Sequence, residues 1–167
     1  LAHNLGIGVV NTFMGKGAIS MDDDHCLYTM GLGSGDYNNL AFDTADLVIS
    51  CGYDLVEYSP SAWNRVNKDG KKIIHMDFWP AEVDRDYVPT VEVVGDLADS
   101  LWQLNEKFEA EQAGKLPLFD IATRSNLRTQ LKEDFAAEKD DMSFPMKPQK
   151  ILWDVRQVMG ADDVLLS

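Results

Sequence analysis

Asp46-Leu47-Val48-Ile49-Ser50-Cys51-Gly52 and Lys71-Lys72-Ile73-Ile74-His75-Met76-Asp77 are the two stretches whose reading decides the fold. Each is a near-continuous apolar run of strand length, β-branched at its centre and closed by a turn residue. Continuous rather than alternating runs mark strands covered on both faces, which is the habit of parallel sheets. Working outward, Ile7 to Thr12 reads as an earlier strand and Val91-Glu92-Val93-Val94 as a later one. Asp36 to Ala45 suits a helix before the 46–51 strand. Asp96 caps another helix, whose Leu97, Leu101, Leu104 and Phe108 recur at helical spacing. Strands alternating with helices predict an α/β domain: a three-layer αβα, doubly wound parallel sheet of Rossmann-like type.

The second half reads as helices joined by breaks. Residues 111–118 contain Gly114 and Pro117 and end the helix begun at Asp96. Asp120 to Lys139 reads as a long helix with Leu127, Leu131 and Phe135 on one side. A linker holding Pro145 and Pro148 leads to a helix at 149–159, expected to turn Ile151, Leu152, Val155 and Met159 inward. At the two ends, Leu1 to Gly6 reads as the last turn of a helix closed by a glycine cap, and Asp163 to Ser167 as a strand just begun. These ends lead us to expect a domain excised from a larger protein.

Composition narrows the function classes. The chain has 167 residues, 45% hydrophobic and 26% charged, with a net charge of -13. Acids outnumber bases 14 to 6 in residues 1–95, 11 to 7 in 96–147 and 3 to 2 in 148–167. No segment is basic, so neither nucleic acid nor an anionic membrane is an expected partner. No apolar run approaches a membrane span and no signal peptide is visible, which leads us to expect a cytoplasmic parent. Cys26 and Cys51 lack CxxC spacing, and Cys51 is expected to be a small buried hydrophobe. His3, His25 and His75 are scattered, so no zinc ligand pair is read from the sequence.

Several segments invite a chemical reading. Gly15-Lys16-Gly17 fails the nucleotide P-loop pattern, because no Ser or Thr follows the lysine. Gly31-Leu32-Gly33-Ser34-Gly35 precedes a helix, so its amides suit either an anion or a tight packing turn. Thr12, Gly52, Asp77 and Gly95-Asp96 all fall at the carboxyl ends of strands, where ligands bind in doubly wound sheets. Asp96 serves equally as a helix cap and Asp77 as a turn residue. Asp22-Asp23-Asp24-His25 has the residue types of a metal site, but consecutive residues rarely aim at one ion, so no metal is expected there. Asp54, Glu57 and Tyr58 offer acids for proton transfer, with no nucleophile or histidine at a readable spacing.

The order of four segments carries a resemblance. Val9 to Ile19, Ala45 to Gly52, Ile74 to Asp77 and Val93 to Asp96 resemble the central domain of thiamine-diphosphate-dependent enzymes, acetolactate synthase in particular. The loop Gly52 to Asn64 resembles its catabolic, flavin-free branch. The resemblance implies a central domain over 1–110, a helical linker region over 111–147 and the start of a diphosphate-binding domain over 148–167. It further implies a homo-oligomeric parent that condenses two pyruvates to acetolactate with loss of CO2. Thiamine diphosphate and Mg2+ would then be held by pyrimidine- and diphosphate-binding domains outside this chain. No GDG metal motif occurs here, so the chain alone is expected to be inactive scaffolding.

In flavin-containing relatives this domain binds FAD. Positions matching that crevice are Thr12, Phe13, Leu32, Gly33, Gly52, Asp77 and Asp96. Such relatives carry an arginine soon after the glycine that matches Gly52. Here Tyr53, Asp54 and Leu55 follow, an acid where a diphosphate wants a cation, so FAD is not expected. The resemblance also makes Met14 and Lys16 candidates for shaping substrate access. Two alternatives stay open on the sequence: a free-standing module binding FAD, NAD or ADP, and a related decarboxylase or lyase acting on another 2-keto acid.

Overall fold

The computed structural model describes residues 1–31, 38–65, 70–112 and 121–166. It is an α/β chain of parallel sheets flanked by helices. A short helix α1 (Ala2–Leu5) is closed by Gly6 in the left-handed conformation, as the sequence predicts. Then come β1 (Val9–Asn11), β2 (Cys26–Thr29), α2 (Asn38–Thr44), β3 (Leu47–Cys51), α3 (Pro60–Trp63), β4 (Lys72–Asp77), β5 (Val91–Val94), α4 (Leu97–Gln112), α5 (Ile121–Ala136) and α6 (Pro148–Val158). The chain divides into two compact units, Leu1–Leu127 and Arg128–Ser167.

In the first unit the five strands form two parallel sheets, β1-β2 and β3-β4-β5. β4 is central in the second sheet, with Val48 opposite Ile73, Ser50 opposite His75 and Asp77 opposite Val94. This register puts Val48, Ser50, Ile73, His75 and Asp77 on one face. Ile73 and Val48 on that face meet a core of Met30, Tyr53, Trp63 and Tyr87. The core is aromatic: Trp63 stands edge-on to Tyr53 and Tyr87, with centroids 5.9 and 6.2 Å away. α4 is held at its start by Asp96, whose Oδ1 accepts from the Asp99 amide at 2.8 Å. Its expected face, Leu97, Leu101, Leu104 and Phe108, is partly buried.

Two elements were not anticipated. β2 is four residues long and bulged: the three residues Val9–Asn11 of β1 span the four residues Cys26–Thr29, and Tyr28 takes a φ of 64°. A tyrosine in the left-handed region gives no sequence signal, because it rarely sits there. α3 is a single turn opened by Pro60 and too short for any apolar period.

Other expectations are corrected. Cys51 is exposed, because it lies at the end of β3 on the face opposite Ser50. Residues 163–166 form no strand; Val164, Leu165 and Leu166 are exposed, and the Asp163 carboxylate instead accepts the Gly160 amide at 2.7 Å. In the second unit α6 forms where expected but buries none of its residues, so Ile151 and Leu152 do not point inward. On α5, Leu127 and Leu131 are buried, whereas Phe135 is 55% exposed. The second unit is pinned by Lys147, whose Nζ lies 2.7 Å from Glu138 and 2.8 Å from Asp141. Breaks expected within 113–118 and helix starts expected at Asp36 and Asp120 lie outside the described residues.

Candidate functional site

The carboxyl ends of β3 and β4 open into a hollow of about 260 Å³ lined by residues from Gly52 to Leu55 and from His75 to Glu82. The parallel topology produces it: β3 and β4 end side by side, with Cys51 opposite Met76. Gly52 and Asp77, both anticipated, meet there. Gly52 has a φ of +61°, and a Cβ on it would lie 3.3 Å from Leu97 Cδ1, so the turn after β3 and the start of α4 require a glycine. Asp77 accepts the Trp79 amide at 3.3 Å, and its carbonyl accepts the Gly95 amide at 2.8 Å. Asp96 sits one residue beyond that contact as the cap of α4.

His75, Tyr53 and Trp79 complete the hollow, and sequence reading had assigned them no part in it. The signal was present for His75, since it lies two residues before Asp77 and a strand repeats every second residue. Its Nε2 faces the Trp79 carbonyl at 3.0 Å and its Nδ1 the Tyr87 hydroxyl at 2.8 Å. A carbonyl only accepts, so Nε2 carries the proton and, in that tautomer, Nδ1 accepts from Tyr87. Tyr87 is in turn 2.5 Å from Ser50 Oγ. Burial, before any charge, pushes the Tyr87 phenol up from its ordinary value, and the Ser50 hydroxyl opposes the rise. Both ring nitrogens of His75 are thus committed to holding the floor of the hollow.

The loop after β1 forms a neighbouring rim. Thr12 Oγ1 accepts the Gly15 amide at 3.1 Å and folds the 12–15 turn. Phe13 lies over Gly31, where an added Cβ would come within 3.0 Å of the ring, and Gly31 has a φ of +109°. The first glycine of the 31–35 stretch therefore serves close packing and a turn. Met14 is 88% exposed, and its amide donates to Glu57 Oε1 at 2.5 Å. Lys16 is exposed on the same turn. Asp54 accepts the Val56 amide at 2.8 Å, so Asp54 and Glu57 each brace a backbone amide instead of pairing for proton transfer. Leu32 and Gly33 lie outside the described residues.

The electrostatics of the hollow do not suit a dinucleotide. Asp54, Asp77 and Glu82 line it, with no Lys or Arg among the described lining residues. Its volume is below the roughly 300–1,000 Å³ of ordinary small-molecule sites. A diphosphate placed there would meet carboxylates and no cation. The described residues therefore do not fit FAD.

Comparison with known proteins assigns this parallel α/β fold to a family. Residues 1–104 match the family model of the thiamine pyrophosphate enzyme central domain, and the chain belongs to that family. It is similar to the catabolic acetolactate synthase of Raoultella terrigena, 31% identical over 135 residues covering 78% of this chain and 23% of the relative. It is also similar to the acetolactate synthase of Bacillus subtilis (strain 168), 30% identical over 156 residues covering 91% of this chain and 26% of the relative. Acetolactate synthase 1, chloroplastic, of Zea mays is 28% identical over 146 residues, covering 86% and 22%. The chain thus spans about a quarter of the length of these curated relatives. The resemblance read from four ordered motifs is borne out. Among the described residues no helix is long and apolar enough to cross a membrane.

Proposed function

We propose that this chain is the central-domain portion of an acetolactate-synthase-like enzyme, condensing two pyruvates to acetolactate with release of CO2, and that it contributes scaffolding and not chemistry. The observation that carries the scaffolding part is the hollow at the strand ends, with three carboxylates, no cation among its described residues and a histidine already bonded at both nitrogens. Similarity to two acetolactate synthases over most of the chain supports the reaction assignment. When bound, thiamine diphosphate would supply the carbanion chemistry such a condensation needs. We assign it and its Mg2+ to pyrimidine- and diphosphate-binding domains outside these residues, in a cytoplasmic homo-oligomer.

Within this reading residues 1–110 are the central domain, 111–147 a helical linker region and 148–167 the start of the diphosphate-binding domain. The unburied apolar residues of α6, Ile151, Leu152 and Val158, support the last boundary, as a surface made to meet further chain. Thr12, Phe13, Leu32, Gly33, Gly52, Asp77 and Asp96 then mark a vestigial nucleotide crevice. Met14 and Lys16, exposed on a turn braced by Glu57, are placed to shape access of substrate.

The chain should release no CO2 and form no acetolactate when supplied with pyruvate, thiamine diphosphate and Mg2+. Calorimetric titration with FAD, ADP and NAD should give no saturable heat. Turnover above a protein-free blank would end the scaffolding assignment. Micromolar FAD binding would end the flavin-free one.

A further inference from the structure

Away from the hollow, α1 and the loop before β2 bring three ligand-type side chains together. The Nε2 of His3 lies 2.8 Å from Asp23 Oδ2, and the Nδ1 of His25 lies 3.1 Å from Asp23 Oδ1. One ligand atom from each residue can be chosen so that all lie within 4.8 Å of one another. The two imidazoles meet edge-on with centroids 4.5 Å apart, each against one oxygen of the same carboxylate. We propose that His3, Asp23 and His25 form a binding site for a divalent transition metal, Zn2+ foremost, which latches α1 to the loop before β2.

The donor set defines the class of ion. Two imidazole nitrogens and one carboxylate suit Zn2+ and its neighbours, whereas Mg2+ and Ca2+ ask for a shell of oxygens. Zinc bonds of about 2.0–2.1 Å in a tetrahedron separate the ligand atoms by about 3.3 Å. One ligand atom from each of the three residues already lies within 4.8 Å of the others, so a modest side-chain adjustment brings the set to that spacing. The structure supplies an exposed arm and a more buried base for that step. His3 has 68% of its side chain exposed, against 18% for Asp23 and 14% for His25. The fixed pair is set by backbone: Asp23 Oδ1 accepts the His25 amide at 2.8 Å, and the His25 carbonyl accepts the Val9 amide at 2.8 Å. Three protein ligands leave a fourth position for water. Reading residues 22–25 alone could not find this set, because its third ligand comes from a different element.

The test is calorimetric titration of the tag-free, chelator-treated full chain with ZnCl2, repeated in excess Mg2+, with Co2+ absorption as a second readout. We expect one site in the micromolar range, unaffected by Mg2+, and a rise in the unfolding temperature with Zn2+. His3→Gln, at an exposed position, should weaken binding at least tenfold while leaving the metal-free unfolding temperature unchanged. Asp23→Asn, which retains the turn-forming carbonyl, should do the same, and the visible Co2+ bands should vanish in His25→Gln. Absence of saturable binding to the folded chain, or equal binding by His3→Gln, would overturn the site.

Discussion

The hydroxyl of Tyr87 lies 2.8 Å from Nδ1 of His75, and this contact ties the 84–87 turn to the central strand of the main sheet. Tyr87 is fully buried and His75 is 3% exposed, so neither group has water to fall back on. The same hydroxyl meets Ser50 on β3. One phenol oxygen thereby couples two strands and a loop behind the hollow.

Replacing Tyr87 with Phe keeps the ring and removes that oxygen. Nδ1 of His75 is then buried without its donor, and we expect a loss of about 1–3 kcal/mol in stability, read from urea denaturation. Ser50→Ala should cost less, about 0.5–1.5 kcal/mol, because Tyr87 and His75 stay paired. A Tyr87→Phe variant as stable as the parent chain would show that the network is incidental.

The aromatic core predicts an alkaline limit. Burial foremost pushes the Tyr53 phenol up to about 12; the Trp63 indole N–H opposes this, while Tyr87, Asp54 and Tyr58 add to it. An unfolded tyrosine titrates at about pH 10. Between these values the native chain keeps a proton that the unfolded chain has lost. The stability linked to Tyr53 is therefore intact below about pH 10 and lost as pH rises through about 12. Urea midpoints measured across that window should fall more steeply for the parent chain than for Tyr53→Phe. Part of the slope should survive in the variant, because Tyr87 is shifted in the same direction.

Gly52 and Gly95 both end strands but should respond differently to substitution. Gly52→Ala forces a side chain into a left-handed backbone, 3.3 Å from Leu97 Cδ1, and should cost about 1–2 kcal/mol. Gly95 has open space around its Cβ position, so Gly95→Ala should stay within about 0.5 kcal/mol. Thermal unfolding of the two variants checks the difference. Equal effects would mean that the turn after β3 tolerates repacking.

How much of this was legible in the sequence depended on the kind of signal each residue carries. β3, β4 and α4 were readable because continuous Val and Ile runs and a Leu/Phe helical period report on burial, and β5 was readable as a Val run although Val91 and Val94 stay exposed. Gly52 and Asp77 were readable as strand-end residues, and the sheet brings them into one hollow. His75 belonged to the same face but was read as a scattered histidine, since its role depends on Tyr87 and Trp79 from other segments. Cys51 and α6 misled for the converse reason: an apolar sequence states what can be buried, not whether a neighbour comes to cover it. Nor does sequence proximity show that His3 meets Asp23, because the loop that joins them is itself held by pairing between β1 and β2.

The measurement that tests the central claim most directly is acetolactate formation by a chimera. In it, residues 1–104 of this chain replace the matching segment of the Bacillus subtilis acetolactate synthase, with folding checked by circular dichroism. We predict that the chimera forms acetolactate from pyruvate with thiamine diphosphate and Mg2+, and that added FAD leaves the rate unchanged. A folded chimera that forms no acetolactate, or one that works only when FAD is supplied, would contradict the assignment of this chain as a flavin-free scaffold for that reaction.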